Sequence, residues 1–264
     1  MNNITPVVKQ LLIINIVFFL GTQFIGNVDF NYKLFSLYYF ENPNFRIWQP
    51  ITSMFMHAQM PNLTHILFNM IALVSFGNVL EHFWGSKRFL FFYISCGLGA
   101  ALIHTGVNYY VIHNTLHQLS SINFTPQDIQ TLLNYSYNPG AVAGEASNIL
   151  ARLHVSQQQF NLLSEAIQSY QTSTVGASGA IYGLLVAFAF MFPNAELAMM
   201  FIPIPIKAKY FIPILIGLDL FSGVTGFSVF GAGIAHFAHI GGAVFGFIIM
   251  MYWRNNKFNH NRWN

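Results

Sequence analysis

The stretch Val175-Gly176-Ala177-Ser178-Gly179-Ala180-Ile181-Tyr182-Gly183 runs straight into Leu184-Leu185-Val186-Ala187-Phe188-Ala189-Phe190. Read as a helix, it puts Gly179 and Gly183 on one face, four residues apart, a spacing that lets a second helix come within backbone contact in a membrane. Ser178 and Tyr182 are also four apart and stack on a neighbouring face. The same residues suit a bare packing surface or a nucleophile held at a helix start. The G-x-S-x-G elbow of soluble hydrolases is not matched, because Ala180 stands where its last glycine belongs. Far down the chain, Ala238-His239-Ile240-Gly241-Gly242-Ala243-Val244-Phe245-Gly246 carries a histidine on a second apolar segment with its own small-residue face, Gly242 and Gly246. Two closely packed segments, one bearing a hydroxyl and one an imidazole, can form a nucleophile–base pair.

Composition says where these segments sit. The 264 residues are 54% hydrophobic, 17% aromatic and only 7% charged, with a mean hydropathy of +0.48. A soluble domain carries roughly 25% charged residues, so most of this surface faces lipid: the chain reads as an integral membrane protein. A net charge of +3, scattered along the chain, excludes nucleic-acid binding. The single cysteine, Cys96, excludes an intrachain disulfide and supplies no second thiol for a metal site. One lysine precedes the first apolar run and no small-residue cleavage site follows it, so a retained helix is expected there.

Six apolar stretches approach the roughly twenty residues of a membrane span; they lie near 8–26, 62–83, 88–108, 175–193, 209–223 and 232–253. The fifth is short and contains Pro213, Gly217 and Asp219. If six helices alternate, Lys9, Lys87, Arg88, Lys207, Lys209, Arg254, Lys257 and Arg262 fall on one side, against Lys33, Arg46 and Arg152 on the other. This bias predicts cytoplasmic termini in the cell (plasma or inner) membrane. Residues 27–61 mix aromatics (Phe30, Tyr32, Phe35, Tyr38, Tyr39, Phe40, Phe45, Trp48) with Lys33 and Arg46, which suits the headgroup zone. Residues 109–173 are polar and predict an external helical insertion. Thr125-Pro126-Gln127-Asp128 and Ser156-Gln157-Gln158-Gln159 read as capped helix starts. Ile129, Leu132 and Leu133 follow the first, and Phe160, Leu163, Ile167 and Tyr170 form an apolar stripe after the second.

Polar groups inside a bilayer are costly, and each asks for a reason. His65 and Asn69 share a helix face four residues apart and can both donate hydrogen bonds. They fit either an oxyanion hole or interhelical glue. Glu81, beside Lys87 and Arg88, is expected to tie a cytoplasmic loop. His57 and His104 near external helix ends suit the interface, and His82 carries no separate role. His236 and His239, one turn apart, suggest a metal pair, but no H-E-x-x-H and no third ligand at suitable spacing is present. No metal and no other cofactor is therefore expected. Asp219 suits either the third place of a triad or a cap or interhelical glue on the fifth helix.

With these residues in place, the chain resembles the rhomboid family of intramembrane serine proteases. The resemblance rests on Gly-Ala-Ser-Gly with Tyr182, on His-Ile-Leu-Phe-Asn at 65–69, and on Ala-His-Ile-Gly-Gly at 238–242, in this order. It implies an all-α polytopic membrane fold with a six-helix bundle, surrounded by lipid. It also implies hydrolysis of peptide bonds in or beside transmembrane segments of other proteins, by a Ser–His dyad without an essential carboxylate. Ser178 would be the nucleophile, His239 its base, and His65 and Asn69 oxyanion donors helped by the Ser178 amide. Tyr182 would stack on His239, Gly242 would let the last span approach, and Gly176 and His236 would support the site. His236 is expected to bind water or backbone at its mouth. The insertion at 109–173 is longer than the family's usual link. Inactive relatives characteristically lose the serine or the histidine; both are kept here. A non-catalytic membrane chaperone or trafficking factor of the same fold is the competing class. A transporter would instead show repeated halves or paired broken helices, which are not seen.

Overall fold

The computed structural model describes residues 4–134, 143–199, 202–227 and 235–254. Residue 232, the expected start of the last span, lies outside the described residues, as do Lys257 and Arg262. The chain divides into two compact units, one of 1–36, 50–104 and 175–264, the other of 37–49 and 105–174.

In the first unit, helix α1 (Pro6–Phe24) starts with a proline at its first turn, where a missing N–H costs nothing. Its free amides are satisfied from another helix, α4 (Thr64–Trp84): the Val7 and Val8 N–H groups donate to the Glu81 carboxylate at 2.9 Å each. The Ser86 hydroxyl donates to the same carboxylate at 2.6 Å. Glu81 is thus not a loop tie. It is a buried cap on α1, matching negative charge to the positive helix end. Between them lie α2 (Val28–Phe35), whose Phe30 amide donates to the Asn27 side chain at 2.9 Å, and the short α3 (Gln49–Thr52). Gly85, at φ +78°, ends α4, and α5 (Ser86–Gln118) follows at once.

The core of this unit is built on Ser178–Met191, which is α9 once the three helices of the insertion are counted. Its 14 residues rise about 21 Å, less than the roughly 30 Å of a bilayer's hydrocarbon. It is apolar all round, as a helix enclosed by others must be, and every residue from Gly179 to Phe188 is buried. A two-stranded antiparallel hairpin follows, β1 (Glu196–Met199) and β2 (Ile202–Lys207). Sequence reading did not anticipate it, although Ile-Pro-Ile-Pro-Ile has the period of a strand and prolines suited to an edge. Helix α10 (Ala208–Thr225) ends at Gly226, φ +72°. It buries only a narrow stripe, Ala208, Ile212, Asp219 and Ser222. The last helix among the described residues is α11 (His236–Arg254).

The seam between α9 and α11 is made by absent side chains. A Cβ on Gly242 would stand 1.8 Å from the Gly179 carbonyl oxygen, and one on Gly246 would stand 2.8 Å from the Gly183 Cα. A Cβ on Gly183 would in turn stand 2.4 Å from the Cys96 sulfur of α5. Among the described residues, α1, α4, α5, α10 and α11 are long and apolar enough to cross a membrane. The protein is an all-α polytopic membrane protein, with one hairpin among the described residues.

The second unit holds α6 (Pro126–Leu133), α7 (Ala143–Arg152) and α8 (Gln157–Gln171). Both capping boxes read from the sequence are present. The Asp128 amide donates to Thr125 Oγ1 at 3.1 Å and the Thr125 amide returns to Asp128 at 2.9 Å. The Gln159 amide donates to Ser156 Oγ at 3.3 Å and the Ser156 amide to Gln159 Oε1 at 2.9 Å. Leu163 and Tyr170 are buried, in clusters with Leu119, Leu132 and Ala146, and with Tyr39, Ile112, Leu133 and Ala166. Phe160, the first residue of the expected stripe, is 40% exposed. Arg152 donates to Asp128 at 2.6 Å, tying α7 to α6.

Candidate active site

Ser178 is the first residue of α9, so its amide, like every first-turn N–H, has no acceptor within the helix. Gly176, two residues earlier, has φ +131°, a conformation open to glycine, and its N–H donates to the Ser53 carbonyl at 2.9 Å. The lack of a side chain matters as much as the backbone. A Cβ here would lie 3.0 Å from His65 Cε1, 3.2 Å from His65 Nε2 and 3.3 Å from Ser178 Oγ. Gly176 therefore keeps open a space that both side chains border.

His239 lies one turn into α11 and reaches back across the glycine seam to Ser178. Its Nε2 is 2.8 Å from Ser178 Oγ. Its Nδ1 is 3.0 Å from Asp219 Oδ2 on α10. An ionised carboxylate can only accept, so Nδ1 carries the proton and Nε2 offers its lone pair to the serine hydroxyl. The ring is sandwiched on one face by Tyr182, with centroids 4.2 Å apart and planes 12° from parallel. The Tyr182 hydroxyl, one turn along α9 from the nucleophile, donates to Asp219 Oδ2.

His236 also bonds to this carboxylate, through Nδ1 and Oδ1. The sequence placed His236 at the mouth of the site, bonding water or backbone. Instead it shares the partner of the base, because residues three apart on a helix face the same neighbour. Asp219 is 0% exposed and collects three donors from two helices. The sequence left its role open among triad, cap and glue. The available signal was that an acidic residue within a membrane span is rarely without a function.

His65 opens the first turn of α4. The Ala58 amide donates to its Nδ1 at 3.2 Å, so the ring proton must sit on Nε2, the atom bordering the Gly176 gap. His65 thus presents a donor next to the serine. Asn69, buried one turn on, donates from Nδ2 to the His65 carbonyl at 2.7 Å. Its second N–H remains for another acceptor. Behind His65 stands His57, with ring centroids 5.3 Å apart. Expected at the interface, His57 is instead 0% exposed and its Nε2 bonds Asn15 Oδ1 of α1 at 2.9 Å. Burial, and next the proximity of His65, push its imidazole pKa down to about 3.

Comparison with known proteins places the chain in a family. The rhomboid domain family matches residues 44–116 and 142–256. A mitochondrial rhomboid protein of Schizosaccharomyces pombe, itself uncharacterized, is 26% identical over 185 residues. That alignment takes in 69% of this chain but only 43% of the relative, so the chain spans less than half of the relative's length. Since the family match covers more than half of the chain and contains the serine, both α11 histidines and the His65–Asn69 pair, the protein belongs to the rhomboid family.

Proposed function

We propose that the protein is an intramembrane serine endopeptidase that cuts peptide bonds in or beside transmembrane segments of other membrane proteins. The observation carrying this reading is the 2.8 Å contact between His239 Nε2 and Ser178 Oγ, with the imidazole held in the accepting tautomer. In the proposed reaction, His239 takes the Ser178 proton as the oxygen attacks the scissile carbonyl. The negative charge that develops on the carbonyl oxygen meets the Ser178 amide, His65 Nε2–H and the free N–H of Asn69. His239 then protonates the leaving amine. Water resolves the acyl-enzyme by the same steps in reverse roles. Substrate helices must unwind locally to expose a carbonyl, since a hydrogen-bonded helix hides it. No metal or cofactor enters this scheme. The excess of basic residues among the connections supports cytoplasmic termini and an external second unit.

The test uses the full chain purified in detergent. The wild type should react with a fluorophosphonate probe and cut a transmembrane substrate, and Ser178→Ala should do neither while melting within a few degrees of wild type. A wild type that binds transmembrane helices yet never labels or cleaves would make the protein a non-catalytic membrane chaperone. Cleavage by Ser178→Ala at the wild-type rate would remove the serine from the chemistry.

A further inference from the structure

We propose that Asp219 is a positioning residue that completes a Ser178–His239–Asp219 triad, placing the orienting carboxylate on α10. This rests on the serine-protease reading above and goes beyond a two-residue dyad. The bond from His239 Nδ1 to Asp219 Oδ2 is 3.0 Å and that from His239 Nε2 to Ser178 Oγ is 2.8 Å, so the three groups stand in line through one ring. Asp219 sits wholly out of water on a helix whose neighbours in sequence, Leu218, Leu220 and Phe221, are exposed apolar residues. A carboxylate there is expensive unless its oxygens are occupied. They are: Oδ2 by Tyr182 and His239, Oδ1 by His236.

The consequences follow the proton. As Ser178 Oγ bonds to the carbonyl carbon, its hydrogen passes to His239 Nε2 and the ring becomes a cation. Nδ1–H stays on the ring, pointing at Asp219, whose negative charge stabilises that cation without taking the proton. The cation then gives the Nε2 proton to the leaving nitrogen as the peptide bond breaks. Without Asp219, nothing would fix which nitrogen is protonated, and the Nε2–H tautomer cannot act as base. Tyr182 holds the carboxylate and ring together from α9. His236 holds the other oxygen, so the carboxylate cannot rotate away.

A structural carboxylate that merely pins α10 to α9 and α11 would show the same bonds, and the experiment separates the two. The titratable groups facing Asp219 are Tyr182 on α9 and His236 and His239 on α11. His65 on α4 and His104 on α5 lie within electrostatic reach of His239 and are the same in every variant. Wild type, Asp219→Asn and Asp219→Glu are purified whole, their active sites counted by fluorophosphonate burst, and kcat and KM for a transmembrane substrate followed against pH. Asp219→Asn should lower kcat per active site by about 10²- to 10⁴-fold with KM nearly unchanged. Its remaining activity should follow a pH profile of different shape from wild type, because the Nδ1–H of the base no longer faces a carboxylate that fixes the tautomer. Asp219→Glu should recover part of the rate and the wild-type profile. Two results would overturn the proposal: unchanged kcat and pH profile in Asp219→Asn, or fewer active sites and a lower melting temperature with each site working at the wild-type rate and pH. A wild type inert to probe and substrate would bring down the protease reading itself, and the triad with it.

Discussion

His65 owes its chemistry to a backbone amide seven residues away. Because Ala58 N–H occupies Nδ1, the histidine is a fixed donor at Nε2, beside the space left by Gly176. On the proposed mechanism, His65→Ala and Asn69→Ala should each cut kcat by up to about 10²–10³-fold, with KM much less affected, since the bond forms mainly to the developing oxyanion. Equal losses in binding and rate would mark both residues as helix glue. The two α11 histidines should separate as well: His239→Ala should lose probe labelling, while His236→Ala keeps measurable turnover, because the His239–Asp219 and His239–Ser178 bonds survive it. His57 behaves oppositely to a catalytic group. Its pKa, held at about 3, lies below the roughly 6.5 of an unfolded histidine. Between these values the unfolded chain takes up a proton that the folded one refuses. Stability from this residue is therefore full above about pH 6.5 and falls as pH drops toward 3. Melting scans from pH 7 to pH 4 should show a decline that His57→Gln flattens; parallel declines would assign it elsewhere.

At the scale of elements, the α9–α11 seam sets how far apart nucleophile and base stand. Gly242→Ala drives a methyl group into the Gly179 carbonyl, 1.8 Å away, and backbone cannot yield as a side chain does. The helices should separate, lowering stability by about 1–3 kcal/mol and costing most of the activity. Gly217→Ala on α10, where nothing lies within 4 Å, should leave both unchanged; thermal melts and probe labelling compare them. These elements also show what a sequence can disclose. The boxes at Thr125–Asp128 and Ser156–Gln159 were legible because each is closed within four residues. The glycine faces at 179/183 and 242/246 were legible because a helical repeat displays them. The Asp219 cluster was not, since its partners lie 17, 20 and 37 residues away and only folding selects among possible roles. His57 failed similarly: its partner Asn15 is 42 residues distant, the one polar residue in the run from Leu11 to Leu20. Glu81 was misplaced because its place beside Lys87 and Arg88 suggested a tie to the cytoplasmic loop, whereas its carboxylate meets the α1 amides.

At the scale of the whole molecule, Ser178, His239, Asp219, His65, Asn69 and Tyr182 all belong to the first unit, and every bond described among them closes within it. The second unit has apolar clusters of its own. Replacing residues 119–171 with a flexible linker should therefore leave Ser178 reactive to a fluorophosphonate. Loss of substrate cleavage with labelling intact would assign the second unit to substrate presentation; loss of labelling would show that the site depends on it. The order in which these residues are synthesised has a consequence of its own. The nucleophile on α9, its carboxylate on α10 and its base on α11 leave the ribosome one after another, and the base comes last. A nascent chain already threaded through the membrane as far as α10 carries a serine with ordinary alcohol reactivity. On the proposed mechanism, proteolytic power arrives in one step, when α11 docks, so unfinished copies are harmless to the membrane proteins around them.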